Sequence, residues 1–396
     1  MLGFAPSLYD VVPGCSTRLS PGFTHCQRGR RVVTEPGEIG EVYPLSNPAL
    51  DTEASRALPK IFHRHKPKID AALRKGLAES PLQLYQMLRY SMGWSDVSGN
   101  PTVATEGKAL RPTLCLLACE ATGTPAEMAM PAAVSVEFIH DFSLIHDEIQ
   151  DLDDVRHHRP TLWVVWGKAK ALVAGNALRT IADQSLHNLL EGGLSVTAAL
   201  EANALLTAGY LEMIEGQYMD LHFEGRTDIP LPDYMEMIAR KTGALIRCSL
   251  VIGATVGTRD PAIVEAFRQC GESLGLVFQV RDDLLGVWGD EASTGKPVGA
   301  DLRRKKNTFP VVYAMSEAKG KDGDTLRRIY GQETVADRDI ATALEIMEGA
   351  GAKQYAEDLA SEHCERAIDA LSAVELDPRA MKDIKEVANF FLVREH

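Results

Sequence analysis

Acidic side chains that could bind metal ions cluster where an apolar helical pattern ends. The first cluster holds Asp147, Glu148 and Asp151, and the four-residue spacing of its aspartates puts both carboxylates on one face of a helix. Like charges one turn apart repel each other by roughly 0.2–0.5 kcal/mol. A solvated helix end would tolerate that cost. Mg²⁺ would remove it, and in proteins this ion commonly bridges carboxylates to the phosphates of a substrate.

A second acidic cluster follows much later in the chain. Asp282 and Asp283 end another apolar stretch, with Gln279 one turn earlier. A glycine-rich segment (residues 289–299) and a basic segment (residues 301–308) come next, and a mobile loop of this composition suits a lid over a charged ligand. Two acidic helix ends, each followed by Arg or Lys, predict metal ions held between carboxylates and an anion held by metals and cations together.

The segments that must position these clusters are helical. Phe138, Phe142, Ile145 and Ile149 recur at steps of four, three and four residues, which is one face of a helix. Ala, Leu, Met, Glu and Arg dominate the rest, and alternating strand patterns with Asn-Gly or Asp-Gly turns are missing. The sequence therefore predicts one large all-α domain over residues 61–396.

The first sixty residues have a different composition. Seven prolines, scattered glycines and a basic cluster at residues 28–31 interrupt any helical periodicity. We predict a mostly disordered N-terminal extension over residues 1–60. The basic cluster is interpreted as a solvated tail, with contact to an acidic partner as the alternative.

The charge balance narrows the possible partners and location. The chain of 396 residues has 42 Lys and Arg against 55 Asp and Glu, a formal net charge of −13, whereas nucleic-acid binding is built from Lys and Arg. The sequence shows no apolar run close to the roughly 18–20 residues that span a bilayer, and its start lacks a secretory pattern. Seven cysteines without paired spacing fit reduced thiols. We predict a cytoplasmic protein with no nucleic-acid partner and no membrane span.

Several short segments follow one another in a characteristic order between residues 106 and 310. They are Gly107-Lys108-Ala109-Leu110-Arg111-Pro112, His140 seven residues before Asp147, Asp147-Glu148-Ile149-Gln150-Asp151, Gly216-Gln217-Tyr218-Met219-Asp220, Lys241-Thr242-Gly243, Phe278-Gln279-Val280-Arg281-Asp282-Asp283 and the stretch from Gly299 to Pro310. In this order they resemble the trans-isoprenyl diphosphate synthases (polyprenyl synthetases), whose two aspartate-rich motifs bind magnesium and an allylic diphosphate. The resemblance implies a large helical bundle around a central cavity.

The resemblance also implies an activity and a set of roles. The activity is the Mg²⁺-dependent condensation of isopentenyl diphosphate with an allylic prenyl diphosphate, with three Mg²⁺ ions in each active site of a homodimer. The catalytic residues would be Asp147, Asp151, Asp282 and Lys241. The metal ligands would be Asp147, Glu148, Asp151, Asp282 and Asp283. The residues that bind the substrates would be Lys108, Arg111, His140, Arg156, His157, Thr242, Gln279, Lys296 and Lys306.

The product length is indicated by one position. Phe142 lies five residues before Asp147 and Ser143 lies four before it. In the family, an aromatic residue at the fifth position floors the chain pocket at moderate depth. The resemblance therefore implies geranylgeranyl diphosphate as the product.

Departures from the family pattern leave two alternatives open. Ala109 stands where a basic residue is usual, His157 replaces the second Arg after the first motif, Glu148 and Asn176 each stand where Asp is usual, and Gly286 replaces the last Asp of the second motif. An Arg contact to phosphate is worth roughly 1.5–3 kcal/mol, so the site for isopentenyl diphosphate could be weakened. The chain could then be a class I terpene synthase that converts farnesyl or geranylgeranyl diphosphate to a hydrocarbon or alcohol. A non-catalytic subunit of a prenyl synthase is the other alternative, although clustered carboxylates have no physical purpose in a scaffold.

Overall fold

The computed structural model describes residues 58–77, 79–102, 107–289 and 297–394. The predicted N-terminal extension, residues 1–60, falls almost wholly outside these ranges and stays a prediction. Lys296, which we predicted to bind substrate, also lies outside the described residues.

The described chain is built almost entirely from α-helices, which confirms the predicted fold class. In chain order the elements are α1 Lys60–Gly76, α2 Gln83–Ser91, α3 Leu110–Ala121, a 3₁₀ turn Ala126–Ala129, α4 Met130–Gln150, β1 Val155–Arg156, β2 Arg159–Pro160, α5 Leu162–Trp166, α6 Lys168–Glu191, α7 Val196–Phe223, α8 Leu231–Ile238, a π turn Ala239–Gly243, α9 Ala244–Gly257, α10 Pro261–Trp288, α11 Ala300–Arg303, α12 Phe309–Glu317, α13 Lys321–Tyr330, α14 Asp337–Gly349, α15 Ala352–Ser372 and α16 Pro378–Val393.

The centre of the fold is formed by the helices that are apolar on every face. In α9 nearly every side chain from Ala244 to Val256 is buried, as expected for a helix with no polar face. This helix packs against α3, α7 and α10, while α4 lies along α6 and α10 lies along α15. The π turn contacts both α7 and α10. The two helices that carry the acidic clusters, α4 and α10, are thereby fixed in the core. The prediction that the second cluster ends its helix is wrong, because α10 continues past Asp283 to Trp288.

Helix α4 also passes a length and hydropathy criterion for a membrane span. Together with the preceding 3₁₀ turn it forms the stretch Ala126–Gln150, and over half of the most apolar part of this stretch is buried inside the fold. Phe138 and Ile139 are completely buried. This burial is typical of a core helix.

A short hairpin follows the first acidic cluster. Strands β1 and β2 pair antiparallel, with Arg156 opposite Arg159. The two loop residues, His157 and His158, both have positive φ, at 48° and 61°, as a two-residue type I′ turn requires. Arg159 donates hydrogen bonds to the carbonyls of Tyr90 (3.1 Å) and Ser95 (2.6 Å). The Arg159 guanidinium therefore anchors the hairpin to residues 90–95.

We expect the His158→Gly substitution to stabilise the fold. An L-residue in the left-handed region is strained, whereas glycine is not, and the greater freedom of glycine in the unfolded chain offsets part of this gain. The net increase in the free energy of unfolding should be about 0.5–1 kcal/mol. Urea titrations of wild type, His158→Gly and the control His158→Ala would measure it. Equal gains from Gly and Ala would show that the turn geometry is not the cause.

Candidate active site

The first acidic cluster lies at the C-terminal end of α4. Asp147 is in the last turn and Asp151 is the C-cap residue. Carboxylates are disfavoured there because the helix dipole is negative at that end. Burial raises the pKa of Asp147 to about 6 and also raises that of Asp151, while Lys241 acts in the opposite direction on both. The protein therefore holds these two carboxylates at a cost that a bound cation would relieve.

Lys241 is held over this cluster by the π turn. Its Nζ lies 2.5 Å from Oδ2 of Asp220 on α7, and the nearby charges of Asp220 and Asp147 raise its pKa although burial opposes them. A Cβ on Gly216 would come within 2.1 Å of the Lys241 backbone nitrogen, so only glycine lets α7 approach the turn this closely. π turns occur often at functional sites. The helix continues through Gly243 into α9, so the segment Lys241-Thr242-Gly243 is not a helix stop.

The second acidic cluster lies on α10, facing the π turn. Asp283 is buried, and both of its oxygens accept hydrogen bonds. Its donors are Tyr234 Oη (2.5 Å), the Phe309 backbone N–H (2.8 Å) and Gln279 Nε2 (2.9 Å). The Thr242 hydroxyl donates to Gln279 Oε1 at 2.6 Å. Asp283 is therefore a structural hub that orients Gln279, whereas the neighbouring Asp282 side chain is 60% exposed.

The two clusters share one cavity of about 410 Å³. Its charged lining comes from α4, α7, the π turn, α10 and the basic segment: Asp151, Asp220, Glu224, Lys241, Asp282, Asp283, Asp301, Arg304, Lys305 and Lys306. Six carboxylates face four cations, which favours binding of metal ions together with an anion rather than an anion alone. We call this space the metal-side cavity.

The donor chemistry of the metal-side cavity fits magnesium. Carboxylate oxygens are the ligands that this ion prefers, and it is usually held by one or two carboxylates plus substrate phosphates. Within the described ranges no three acidic, His or Cys side chains converge on one point. The carboxylates instead lie on opposite walls, so phosphate oxygens would have to complete the coordination between them.

A second cavity, of about 190 Å³, lies along α4 from Glu137 to Glu148, on the N-terminal side of Asp151. We call it the hairpin-side cavity, since β1, the hairpin turn and β2 line it along with Ala109, Glu137, His140, Asp141 and Glu148. Arg111 lies 3.1 Å from His140, its Nη1 against the imidazole Nε2. An arginine can only donate, so His140 accepts with Nε2 and carries its proton on Nδ1. Burial, together with Arg111 and Arg156, lowers the pKa of His140 well below its usual value.

Glu148 lies apart from the metal-side cavity with which we predicted it to act. The side chain is buried, lines the hairpin-side cavity and lies 3.7 Å from Arg156 Nε. Burial raises its pKa to about 7, and Arg156 opposes this rise. Consecutive residues of a helix point about 100° apart, which is why Glu148 and Asp147 face different spaces. His157 is exposed at the rim of the hairpin-side cavity.

Two charged residues near the site were missed by sequence reasoning. Asp220 was part of a recognised motif, but nothing in the sequence indicated its ion pair with Lys241. Arg394 follows α16 and is 7% exposed. It donates to the Phe278 carbonyl (3.0 Å) and Asp282 Oδ1 (3.2 Å) and stacks over the Phe278 ring. Burial lowers the pKa of Lys108, and the charge of Arg394 lowers it further. A basic residue directly after a terminal amphipathic helix was the available signal.

We expect the stability of the protein to fall as the pH rises, in part because of Glu137. Burial raises the pKa of Glu137 in the folded protein to about 7, although Arg111 opposes the rise, whereas an unfolded glutamate titrates near about 4.3. The folded state thus holds the proton more tightly, so stability present at low pH is lost as the pH rises through about 7, by roughly 1–3 kcal/mol.

The Glu137→Gln variant removes this proton and tests the effect. Its free energy of unfolding, measured by urea titration from pH 5 to pH 8, should fall less steeply than that of wild type. Glu127→Gln, at an exposed carboxylate, is the control. Parallel pH profiles for Glu137→Gln and wild type would contradict the assignment.

The fold and the site together define a class of protein. An all-α fold in which aspartates of two helices share one cavity with a lysine and a basic segment is that of the trans-isoprenyl diphosphate synthases. Residues 96–347 match the family model of polyprenyl synthetase. The chain belongs to this family and is a prenyltransferase.

Known relatives agree with this assignment. A (2E,6E)-farnesyl diphosphate synthase of Mycobacterium tuberculosis is 36% identical over 355 residues, covering 88% of this chain and 96% of that one. A geranylgeranyl diphosphate synthase of the same organism is 35% identical, covering 84% and 94%. Among solved structures, a polyprenyl synthetase of Streptomyces coelicolor is similar with a TM-score of 0.78 and 35% identity, covering 84% and 99%.

Proposed function

We propose that this trans-prenyltransferase makes geranylgeranyl diphosphate from isopentenyl diphosphate and a shorter allylic diphosphate. The observation that carries the proposal is that α4 lines two cavities of different character. The metal-side cavity suits an allylic diphosphate with its metal ions, and the hairpin side holds cations for a second anion. A cyclase that acts on a single substrate would not need this second set of cations.

Asp147, Asp151 and Asp282 would hold three magnesium ions, with Asp283 in a supporting role. Glu148 faces the hairpin-side cavity and would act only through its ion pair with Arg156. Bound magnesium would supply neutralisation of the charge that develops on the leaving diphosphate. Lys241 and Lys306 would neutralise further oxygens of the allylic diphosphate from the cavity wall. Arg156 and Lys296 are proposed for the same role. Cations already in place stabilise the developing charge more than the ground state, which accelerates the reaction.

The isopentenyl diphosphate would be bound by Lys108, Arg111, His140 and His157. Arg394 extends this set. Burial lowers the pKa of both Lys108 and Arg111, and the nearby charge of Arg394 lowers each of them further. Three mutually repelling cations are costly in the free enzyme, and an anion between them would remove the cost. His157 stands where the family usually has an arginine. Arg159 cannot take over the role of that arginine, because the backbone carbonyls of Tyr90 and Ser95 hold the Arg159 guanidinium. Thr242 and Gln279 would orient the allylic substrate through their mutual hydrogen bond.

Phe142 would set the length of the product. It is 6% exposed and lies edge-on to His146, with ring centroids 4.8 Å apart. The His146 ring in turn fills the space above Gly175 of α6, where a Cβ would lie 2.4 Å from it. These rings close the space between α4 and α6 on the N-terminal side of Asp147, so a growing prenyl chain would stop there.

The Phe142→Ala variant tests that proposal. Wild type and variant would be incubated with Mg²⁺, isopentenyl diphosphate and geranyl or farnesyl diphosphate, and the products separated by liquid chromatography with mass spectrometry. We expect geranylgeranyl diphosphate from wild type and longer diphosphates from Phe142→Ala. Farnesyl diphosphate as the final wild-type product, or unchanged lengths in the variant, would contradict the assigned depth.

We propose that the enzyme acts as a homodimer. Large apolar side chains are exposed along α7, namely Val196, Leu200, Leu211, Ile214 and Tyr218, each at least 43% exposed. A contiguous apolar stripe of this kind is typical of a subunit interface, and a second copy of the same helix would cover it. Light scattering after gel filtration should give twice the mass of the 43.2 kDa chain, and a monomer would contradict the proposal.

A further inference from the structure

The second acidic cluster lacks a carboxylate at its last position, which is Gly286. This residue lies on α10 four positions after Asp282, so both point to the same side of the helix. An aspartate at that position would project toward the metal-side cavity. The structure shows what lies there instead.

The space above Gly286 is filled by the carboxylate of Asp301. A Cβ built on Gly286 would come within 1.9 Å of Asp301 Oδ2 and 2.7 Å of its Cγ, whereas the Asp301 Cβ would be 3.5 Å away. Only the carboxylate itself conflicts with a side chain on Gly286. The two residues therefore compete for one position.

Backbone geometry fixes Asp301 in this place. Gly299 has φ +73° and turns the chain into α11. The Gly299 N–H donates to the Val287 carbonyl at 3.1 Å, and the Lys306 N–H donates to the Asp301 carbonyl at 3.0 Å. These bonds tie the basic segment to the end of α10.

The surroundings of Asp301 are those of the candidate site. It lines the metal-side cavity together with Asp282 and Asp283. Its charge contributes to raising the pKa of buried Tyr234, after burial, Asp283 and Asp220, and Tyr234 is the residue that donates to Asp283. Asp301 is thus electrostatically connected to the second acidic cluster.

We propose that Asp301 supplies, from the basic segment, the carboxylate that α10 lacks, and that Gly286 is the opening that admits it. The inference rests on the proposed function, since the carboxylate would act on magnesium bound with a diphosphate. Asp301 belongs to the same short segment as Lys305 and Lys306. A metal ion that engaged Asp301 would draw those two lysines toward the diphosphate.

Moving the carboxylate from one position to the other tests this proposal. Four full-length proteins would be compared: wild type, Asp301→Ala, Gly286→Asp and the double variant Gly286→Asp/Asp301→Ala. Alanine at 301 keeps only the Cβ, which lies at ordinary contact distance from a residue-286 side chain. Isothermal titration with inorganic diphosphate in the presence of Mg²⁺ gives the affinity. Circular dichroism melting reports whether each variant is folded.

We expect each single variant to bind diphosphate at least tenfold more weakly in Mg²⁺, and the double variant to return to within about threefold of wild type. Asp322→Ala, in the first turn of α13 and outside both cavities, controls for loss of a helix-terminal acid. Wild-type affinity in Asp301→Ala, or a double variant no better than that single variant, would overturn the inference. Failure of wild type itself to bind diphosphate with Mg²⁺ would overturn the proposed function.

Discussion

The Asp282→Asn variant is expected to lose about three to four orders of magnitude in kcat, equivalent to roughly 4–5.5 kcal/mol. Asp282 is the exposed carboxylate of α10 in the metal-side cavity, whereas Asp283 is buried and already accepts three hydrogen bonds. An amide carries no charge and binds magnesium poorly, so charge neutralisation on the leaving diphosphate is lost. Steady-state assays with isopentenyl and geranyl diphosphates measure the loss.

Two features make this result interpretable. The Asp282 side chain is 60% exposed, so the substitution should leave the fold intact, and thermal melting would verify this. Asp369→Asn, at an exposed aspartate of α15, is the matched control and should retain wild-type kcat. A loss of less than tenfold in Asp282→Asn would remove this residue from the catalytic set.

The second large effect concerns the other substrate. Arg111→Gln should raise the KM for isopentenyl diphosphate by about 10- to 100-fold, the cost of one charge-assisted contact to phosphate. The slow ionisation of geranyl diphosphate in the absence of isopentenyl diphosphate should be unchanged, because Arg111 is not among the residues that line the metal-side cavity. Rates with and without isopentenyl diphosphate separate the two effects.

Arg64→Gln serves as the control for Arg111→Gln. Arg64 is also a partly buried arginine with an acidic partner, Glu120, but it joins α1 to α3 and touches neither cavity. Its variant should lose stability without a change in KM. If Arg111→Gln impaired ionisation of geranyl diphosphate as strongly as condensation, the assignment of separate subsites would be wrong.

The positions of the acidic clusters were predictable because helical spacing is a local property. The i, i+4 relation of Asp147 and Asp151 fixes their common face whatever the helix packs against. The same holds for Phe138 and Phe142, whose periodicity placed them in the core. Helical periodicity also predicted the all-α fold, and the order of the short motifs then supplied the family.

Other features depended on packing that the sequence does not express. Glu148 points into the hairpin-side cavity because its neighbour Asp147 takes the other face. The pairing of Lys241 with Asp220 requires a π turn, and no residue pattern of the segment predicts that extra residue. Arg394 reaches Asp282 across more than a hundred residues of chain. In each case the deciding contact is long-range, so only the folded arrangement reveals it.

The central claim is that one substrate binds with metal ions in the metal-side cavity, that a second is held by Lys108, Arg111 and His140, and that the two are joined into a longer diphosphate. The most direct measurement incubates the purified enzyme and Mg²⁺ with dimethylallyl, geranyl, farnesyl or geranylgeranyl diphosphate, each with and without ¹³C-labelled isopentenyl diphosphate. Mass spectrometry of the aqueous phase and of a hexane overlay follows the label. The account predicts longer, labelled diphosphates only when isopentenyl diphosphate is present. Unlabelled hydrocarbon or alcohol formed from one allylic diphosphate alone, with no labelled diphosphate, would contradict it.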